Sequence, residues 1–270
     1  MIIDFHAHIF TDALAPKAQA ALIENSHHAY SHCTDMTERG LLAYMDAHGI
    51  DISVVLPIVT KPHQTATINN WAASVNGDRL VAFGSLYPLA GTWKEDVDSI
   101  CALGLKGIKL HPEYQHFDVD DEALFPFYEY AFSKGLIVLW HAGYDPFGIP
   151  PYRSNPRKFA ALADRFKGGK MVVAHLGGQE QWVEAADVLA GKDVWMDTSM
   201  ASKYCPRDLF EFIVKKHGSD KILFASDSPW SAAAEEAERL RGYDFDEEEL
   251  ENIFHRTAEK LLGIKAGSRG

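Results

Sequence analysis

Strand-like runs of seven to nine residues recur along the chain, and between them lie stretches whose apolar positions fall three or four apart. The first pattern reads as strands and the second as amphipathic helices. The strand-like runs are "IIDFHAH" (2–8), "DISVVLPI" (51–58), "LVAFGSLYP" (80–88), "LKGIKLH" (105–111), "LIVLWHA" (136–142), "KMVVAHL" (170–176), "DVWMDTS" (193–199) and "KILFASD" (221–227). Helix signals fill the gaps. "TDMTERGLLAYMDAHG" offers polar N-cap candidates and ends at Gly49, and "DDEALFPFYEYAFSKG" carries acids in its first turn and closes on Lys134-Gly135. "PRDLFEFIVKKHG" opens on Pro206 and stops at Gly218, and "DEEELENIFHRTAEKLLG" (246–263) forms a last amphipathic helix.

Eight continuous apolar strands, each followed by a helix, describe parallel strands covered on both faces. The economical architecture is a closed (β/α)8 TIM barrel, one domain over residues 1–265 with a frayed tail at 266–270. An open doubly wound sheet is the alternative, but no glycine-rich phosphate loop follows the first strand. Residues 9–34 form a long first βα connection containing "SHHAYSHC". Long loops in such barrels lie over the C-terminal mouth, which makes this segment a candidate lid.

Composition narrows the function. The net charge is −12, with acids concentrated in "DFDEEELEN". That balance argues against a nucleic-acid partner and leaves a small-molecule substrate. Cys33, Cys101 and Cys205 are scattered without CxxC spacing, so neither a disulfide framework nor a cysteine zinc site is expected. With no leader pattern and no run near the roughly 20 apolar residues of a membrane span, the expected location is the cytoplasm, without a membrane partner. The aromatic run "LFPFYEYAF" reads as barrel–helix packing or an oligomer face, with a homodimer as the candidate assembly.

The chemistry lies in the polar residues that interrupt the strands. By strict alternation, Asp4, His6 and His8 share one face of the first strand, opposite Ile3, Phe5, Ala7 and Ile9. Burying such groups unpaired costs roughly 1–3 kcal/mol each, so something must satisfy them. Other strand ends carry Lys109 and His111, His141, His175, and Asp227. Barrel active sites form from those ends, and the convergence points to a shared metal site. Imidazoles with a carboxylate suit Zn²⁺ and also accommodate Mn²⁺, Fe²⁺ or Ni²⁺. Asp4 is either the partner of a ligand imidazole or a buried acid hydrogen-bonded within the barrel.

The set "HAH" on strand one, "KGIKLHPEYQ" on strand four, "WHAG" on strand five, "AHLGG" on strand six and "FASDSPW" on strand eight resembles the amidohydrolase superfamily. The likeness is greatest to the amidohydrolase-2 branch, which includes aminocarboxymuconate semialdehyde decarboxylase and related hydrolases. "HRTAEKLLGI" is similar to that branch's usual ending, with Arg-Thr replacing the common Asn-Ala. The resemblance implies a metallo-dependent hydrolase-type TIM barrel in which His6, His8, His141 and Asp227 bind one divalent ion, most simply Zn²⁺. It makes His175 and Asp227 the catalytic pair. A carboxylated Lys109 bridging two metals belongs to binuclear members, and "GIKLHP" fits the mononuclear pattern better. Strand four has no glutamate at the Lys109 position, unlike the TatD-type deoxyribonucleases.

The resemblance leaves two reactions open. A metal-activated water attacking a small ester, lactone or amide is the favoured reading, and non-oxidative decarboxylation of an unsaturated or aromatic acid is the alternative. Candidate substrate-binding residues are Lys109, His111, Tyr114, Tyr144, Arg153 and Trp230, with Gln115, Asp145 and Lys203 in the same loops.

Overall fold

The computed structural model describes residues 1–25, 31–146 and 148–264. Its strands are β1 (Ile3–Ala7), β2 (Ile52–Val55), β3 (Leu80–Ala82, continuing as Gly84–Ser85), β4 (Gly107–Leu110), β5 (Ile137–Trp140), β6 (Met171–Val173), β7 (Trp195–Asp197) and β8 (Ile222–Leu223). Neighbours in sequence pair in parallel. Phe83 interrupts β3, yet its N–H donates to Val55 O at 2.9 Å and keeps the strand against β2. The last seam also closes. Phe5 N–H donates to Phe224 O at 2.8 Å, Asp227 N–H donates to His6 O at 2.9 Å, and Ala7 bridges to Ser228. The ring is continuous, so the fold is the (β/α)8 barrel and the open-sheet alternative falls.

Each expected strand is present but shorter than its apolar run. Residues such as Leu56 and Leu86 are fully buried although they lie in loops beyond the strand ends. The alternation along the strands separates two apolar layers. Phe5, Val54, Leu139, Val172 and Leu223 fill the barrel, joined by Leu261 and Leu262 of the last helix. Val55, Val138, Trp140 and Val173 face outward onto helix residues such as Leu41, Met45 and Phe159. Each such side chain contributes about 1.5–3 kcal/mol on burial. The aromatic run belongs to this outer layer. Phe127 and Tyr128 are buried, Tyr128 meets Trp140 edge-on at 5.4 Å, and its hydroxyl donates to Val119 O at 3.0 Å.

β4 departs from the pattern. Ile108 and Leu110 join the outer layer, which leaves Gly107 and Lys109 for the interior. A Cβ on Gly107 would stand 2.5 Å from the Phe83 ring and 2.6 Å from Ile137 O. Glycine there makes room for Phe83 across the strand.

β1 overturns the strict alternation expected of it. Ile3 and Phe5 belong to the inner layer, whereas Ala7 and Ile9 belong to the outer one. The pairing with β2 slips between Asp4 and Ala7, and the irregularity re-aims the strand's end so that both His6 and His8 reach the mouth. Among the described residues, no helix is long and apolar enough to cross a membrane.

Candidate metal centre and active site

Carbonyl and carboxylate oxygens fix how the first two imidazoles are protonated. His8 Nδ1 lies 2.8 Å from Leu56 O, which can only accept, so that nitrogen carries the proton. His6 Nδ1 donates to Asp197 Oδ2 at 2.9 Å. In the neutral form of each ring Nε2 then presents a lone pair, and the two Nε2 atoms lie 3.2 Å apart. Asp227 Oδ1 stands 3.3 Å from His6 Nε2 and 3.2 Å from His8 Nε2. The Lys109 ammonium reaches only the His6 nitrogen, at 3.1 Å, and a cation among all three acceptors would relieve their mutual repulsion. Ligands about 2.0–2.1 Å from a tetrahedral ion are about 3.3 Å apart, so the donor set fits a divalent metal. Burial and the nearby Lys109 ammonium bring His6 down to about 4, a neutral imidazole at physiological pH. Burial pushes the Asp227 carboxyl up, but His6 and His8 outweigh it and hold the group well below the usual carboxylate range.

His141 stands apart from this triplet. Its Nε2 donates to Tyr144 O at 3.2 Å, and its ring stacks on His111 at 4.2 Å and 10°. Ligand atoms of His111, His141 and Asp145 fall within 4.8 Å of one another, as do those of His6, His8 and Asp227. The expected four-residue set is thus gathered as three residues plus a neighbour. His175 spans the gap. Its Nδ1 donates to Ser199 O at 3.1 Å, and its Nε2 faces His141 Nδ1 at 3.0 Å. His175 and Asp227 have φ of 58° and 68°. This left-handed conformation costs non-glycine residues about 1–3 kcal/mol, and here it turns the chain at the ends of β6 and β8.

Asp4 serves the barrel and not an imidazole. Its Oδ1 accepts from Ser226 N–H at 2.8 Å and His6 N–H at 3.3 Å, and its Oδ2 accepts from Ser226 Oγ at 2.6 Å. It therefore pins β1 to the chain just beyond β8. Lys109 is wholly buried with its Nζ 3.1 Å from His6 Nε2, and burial brings the ammonium down to about 8.

His6, His8, Lys109, His141, His175 and Asp227 line the floor of a cavity of about 300 Å³ whose walls include Phe10, Leu22, Ile58, Met200 and Trp230. Tyr114 and Tyr144 line it too, with Tyr114 OH donating to Asp145 Oδ2 at 3.2 Å. His111 Nδ1 is buried without a hydrogen-bond partner among the described residues. The first βα connection reaches the cavity through Ala18, Ala21 and Leu22 of the helix Ala15–Asn25. His27 and His28 lie outside the described residues, and His32 is exposed.

Three residues expected near the substrate do not line the cavity. The Arg153 guanidinium leaves the cavity for Asp118, at 3.2 Å. Lys203 is exposed and lies over the Tyr204 ring. The Gln115 amide is used structurally, donating to Val59 O at 2.7 Å and Leu86 O at 2.8 Å and accepting from His111 N–H at 2.8 Å. Conversely, sequence reasoning passed over Asp197 and Ser199. The available signal was "DTS" closing the seventh apolar run, another carboxylate at a strand end.

The family model described as Amidohydrolase (Amidohydro_2) matches residues 3–264. No curated protein matches the chain significantly. Similar solved structures include an uncharacterized TIM-barrel protein from Bordetella bronchiseptica, with TM-score 0.78 and 20% identity over 97% of this chain and 98% of that one. A 5-carboxyvanillate decarboxylase from Novosphingobium aromaticivorans, complexed with manganese and 4-hydroxy-3-methoxy-5-nitrobenzoic acid, has TM-score 0.72 and 15% identity over 98% and 96%. A 2,6-dihydroxybenzoate decarboxylase complexed with 2,6-dihydroxybenzoate has TM-score 0.70 and 14% identity over 97% and 99%. At these identities the structural likeness speaks to the fold, while the family match spans nearly every residue from β1 to the last helix: the chain belongs to the amidohydrolase family.

Proposed function

We propose that the chain is a metal-dependent carboxy-lyase that releases CO2 from an aromatic or unsaturated carboxylic acid without an oxidant. The observation that carries this reading is the cavity, which sets a floor of imidazoles, Asp227 and buried Lys109 beneath apolar and aromatic walls. An acid whose ring lies against Phe10, Ile58 and Trp230 would direct its carboxylate toward Lys109 and the cation that His6, His8 and Asp227 would hold. The hydrolase reading favoured from the sequence gives way here, because two neighbours with stated activities are decarboxylases and one is complexed with manganese.

His6, His8 and Asp227 would hold one divalent cation, zinc or manganese, with His141 the next imidazole along the rim. When bound, the ion supplies positive charge that fixes substrate oxygens and stabilises charge developing on them. Lys109 offsets the negative charge of the entering acid, and the apolar walls exclude water. His175, entering the step as an imidazolium whose Nδ1–H stays on Ser199 O, delivers its Nε2 proton to the carbon that bears the carboxylate and is left neutral. The carbon–carbon bond then breaks, its electron pair returns to the ring, and the carboxylate departs as CO2. Asp227, held ionised, accepts a hydrogen bond from a substrate hydroxyl.

The test is CO2 release from a panel containing 5-carboxyvanillate, 2,6-dihydroxybenzoate and related acids. One CO2 per acid consumed, abolished by a chelator and restored by Mn²⁺ or Zn²⁺, is the expected result. Turnover of esters or lactones without any acid being decarboxylated would overturn the proposal.

A further inference from the structure

We infer that Asp197 is a positioning residue that ties the metal-ligating side of the rim to its proton-transferring side. The inference rests on the roles proposed above for His6 and His175. Asp197 ends β7 and is fully buried. Its Oδ2 accepts the Nδ1–H of His6 at 2.9 Å. Its Oδ1 accepts the backbone N–H of His175 at 3.0 Å and of Ser199 at 3.1 Å, together with the Ser199 hydroxyl. Ser199 in turn lies against His175 Nδ1, through its carbonyl oxygen at 3.1 Å and its hydroxyl at 2.9 Å.

Each oxygen does separate work. The Oδ2 contact commits the His6 proton to Nδ1 and so leaves the Nε2 lone pair facing His8 and Asp227. The Oδ1 contacts hold the turn at His175, whose φ is 58°, and so set the direction in which that imidazole points. No neutral side chain of the same size can replace both. An asparagine has one acceptor oxygen, and its NH2 group must face either the His6 N–H or the paired backbone N–H groups. Partners of this kind are typically worth about 10–100-fold in metal affinity.

The test measures metal binding itself, on metal-free protein, by competition with a chromophoric chelator for Mn²⁺ and Zn²⁺. Asp197→Asn should weaken the Kd by about 10–100-fold with an unchanged circular dichroism spectrum. Ser199→Ala, which keeps the His6 contact, should stay within about threefold of wild type in Kd while lowering kcat. An Asp197→Asn Kd within about threefold of wild type overturns the inference, as does a Ser199→Ala loss as large as that of Asp197→Asn. Should Asp197→Asn fail to fold, nitrogen NMR of histidine-labelled wild-type protein decides. His6 protonated at Nδ1 supports the inference, and protonation at Nε2 sinks it. None of these readouts needs a substrate except the Ser199→Ala rate, so a failure of the decarboxylase reading is distinguishable from a failure here.

Discussion

Replacing Asp4 by alanine would remove a carboxylate that is 1% exposed and sits on the seam where the barrel closes. Two strong bonds disappear, from Ser226 N–H at 2.8 Å and Ser226 Oγ at 2.6 Å, and a weaker one from His6 N–H at 3.3 Å. Ser226 is itself fully buried, so neither of its donors can turn to water. An orphaned buried donor costs about 1–3 kcal/mol, which puts the loss at about 2–6 kcal/mol. For a chain of this size each kcal/mol moves Tm by about 2–4 °C, so a fall of roughly 4–24 °C is expected. Urea titration of the metal-free protein followed by circular dichroism measures the loss directly. Asp4→Asn keeps an acceptor for Ser226 N–H and should lose less than half as much. The perturbation also loosens His6 and Asp227, which flank this seam, so metal affinity should fall in the same order. An Asp4→Ala protein within about 1 kcal/mol of wild type would refute the idea that this carboxylate holds the seam.

Three further outcomes are expected. A Cβ on Gly143 would stand 2.4 Å from the backbone N and O of Gln179, at φ of 83°. Gly143→Ala should thus cost about 2–5 kcal/mol, combining left-handed strain with overpacking, and an unchanged denaturation midpoint would contradict this. His217 accepts from Gly191 N–H at 3.0 Å and donates to Val194 O at 3.0 Å, and burial lowers it from 6.5 to about 4. The unfolded chain therefore binds this proton first, so the contribution is complete above pH 6.5 and is lost as pH falls toward 4. The gap amounts to about 3 kcal/mol, and His217→Gln should flatten the stability profile across that window if the assignment is right. His175→Asn should lower kcat by about 10²–10⁴-fold while elemental analysis finds the metal retained. Loss of the metal would make His175 a ligand.

What could be read from the chain were features that local chemistry imposes on consecutive residues. Apolar runs alternating with helical periods gave the eight βα units, and polar residues at the ends of those runs marked the rim where His6, His8, Lys109, His175 and Asp227 now meet. The family motifs were legible for the same reason, since each occupies one strand end. Orientation was not legible, because it depends on partners far away in sequence. Leu56 O and Asp197 decide which nitrogen of His8 and His6 carries a proton, Tyr144 O draws His141 aside, and Ser226 claims Asp4 across 222 residues. The slipped register in β1 likewise follows from closing the ring against β2 and β8, a constraint that no alternation within "IIDFHAH" encodes. Periodicity selects the layer in which a side chain lies, but only the closed barrel supplies the oxygen that aims it.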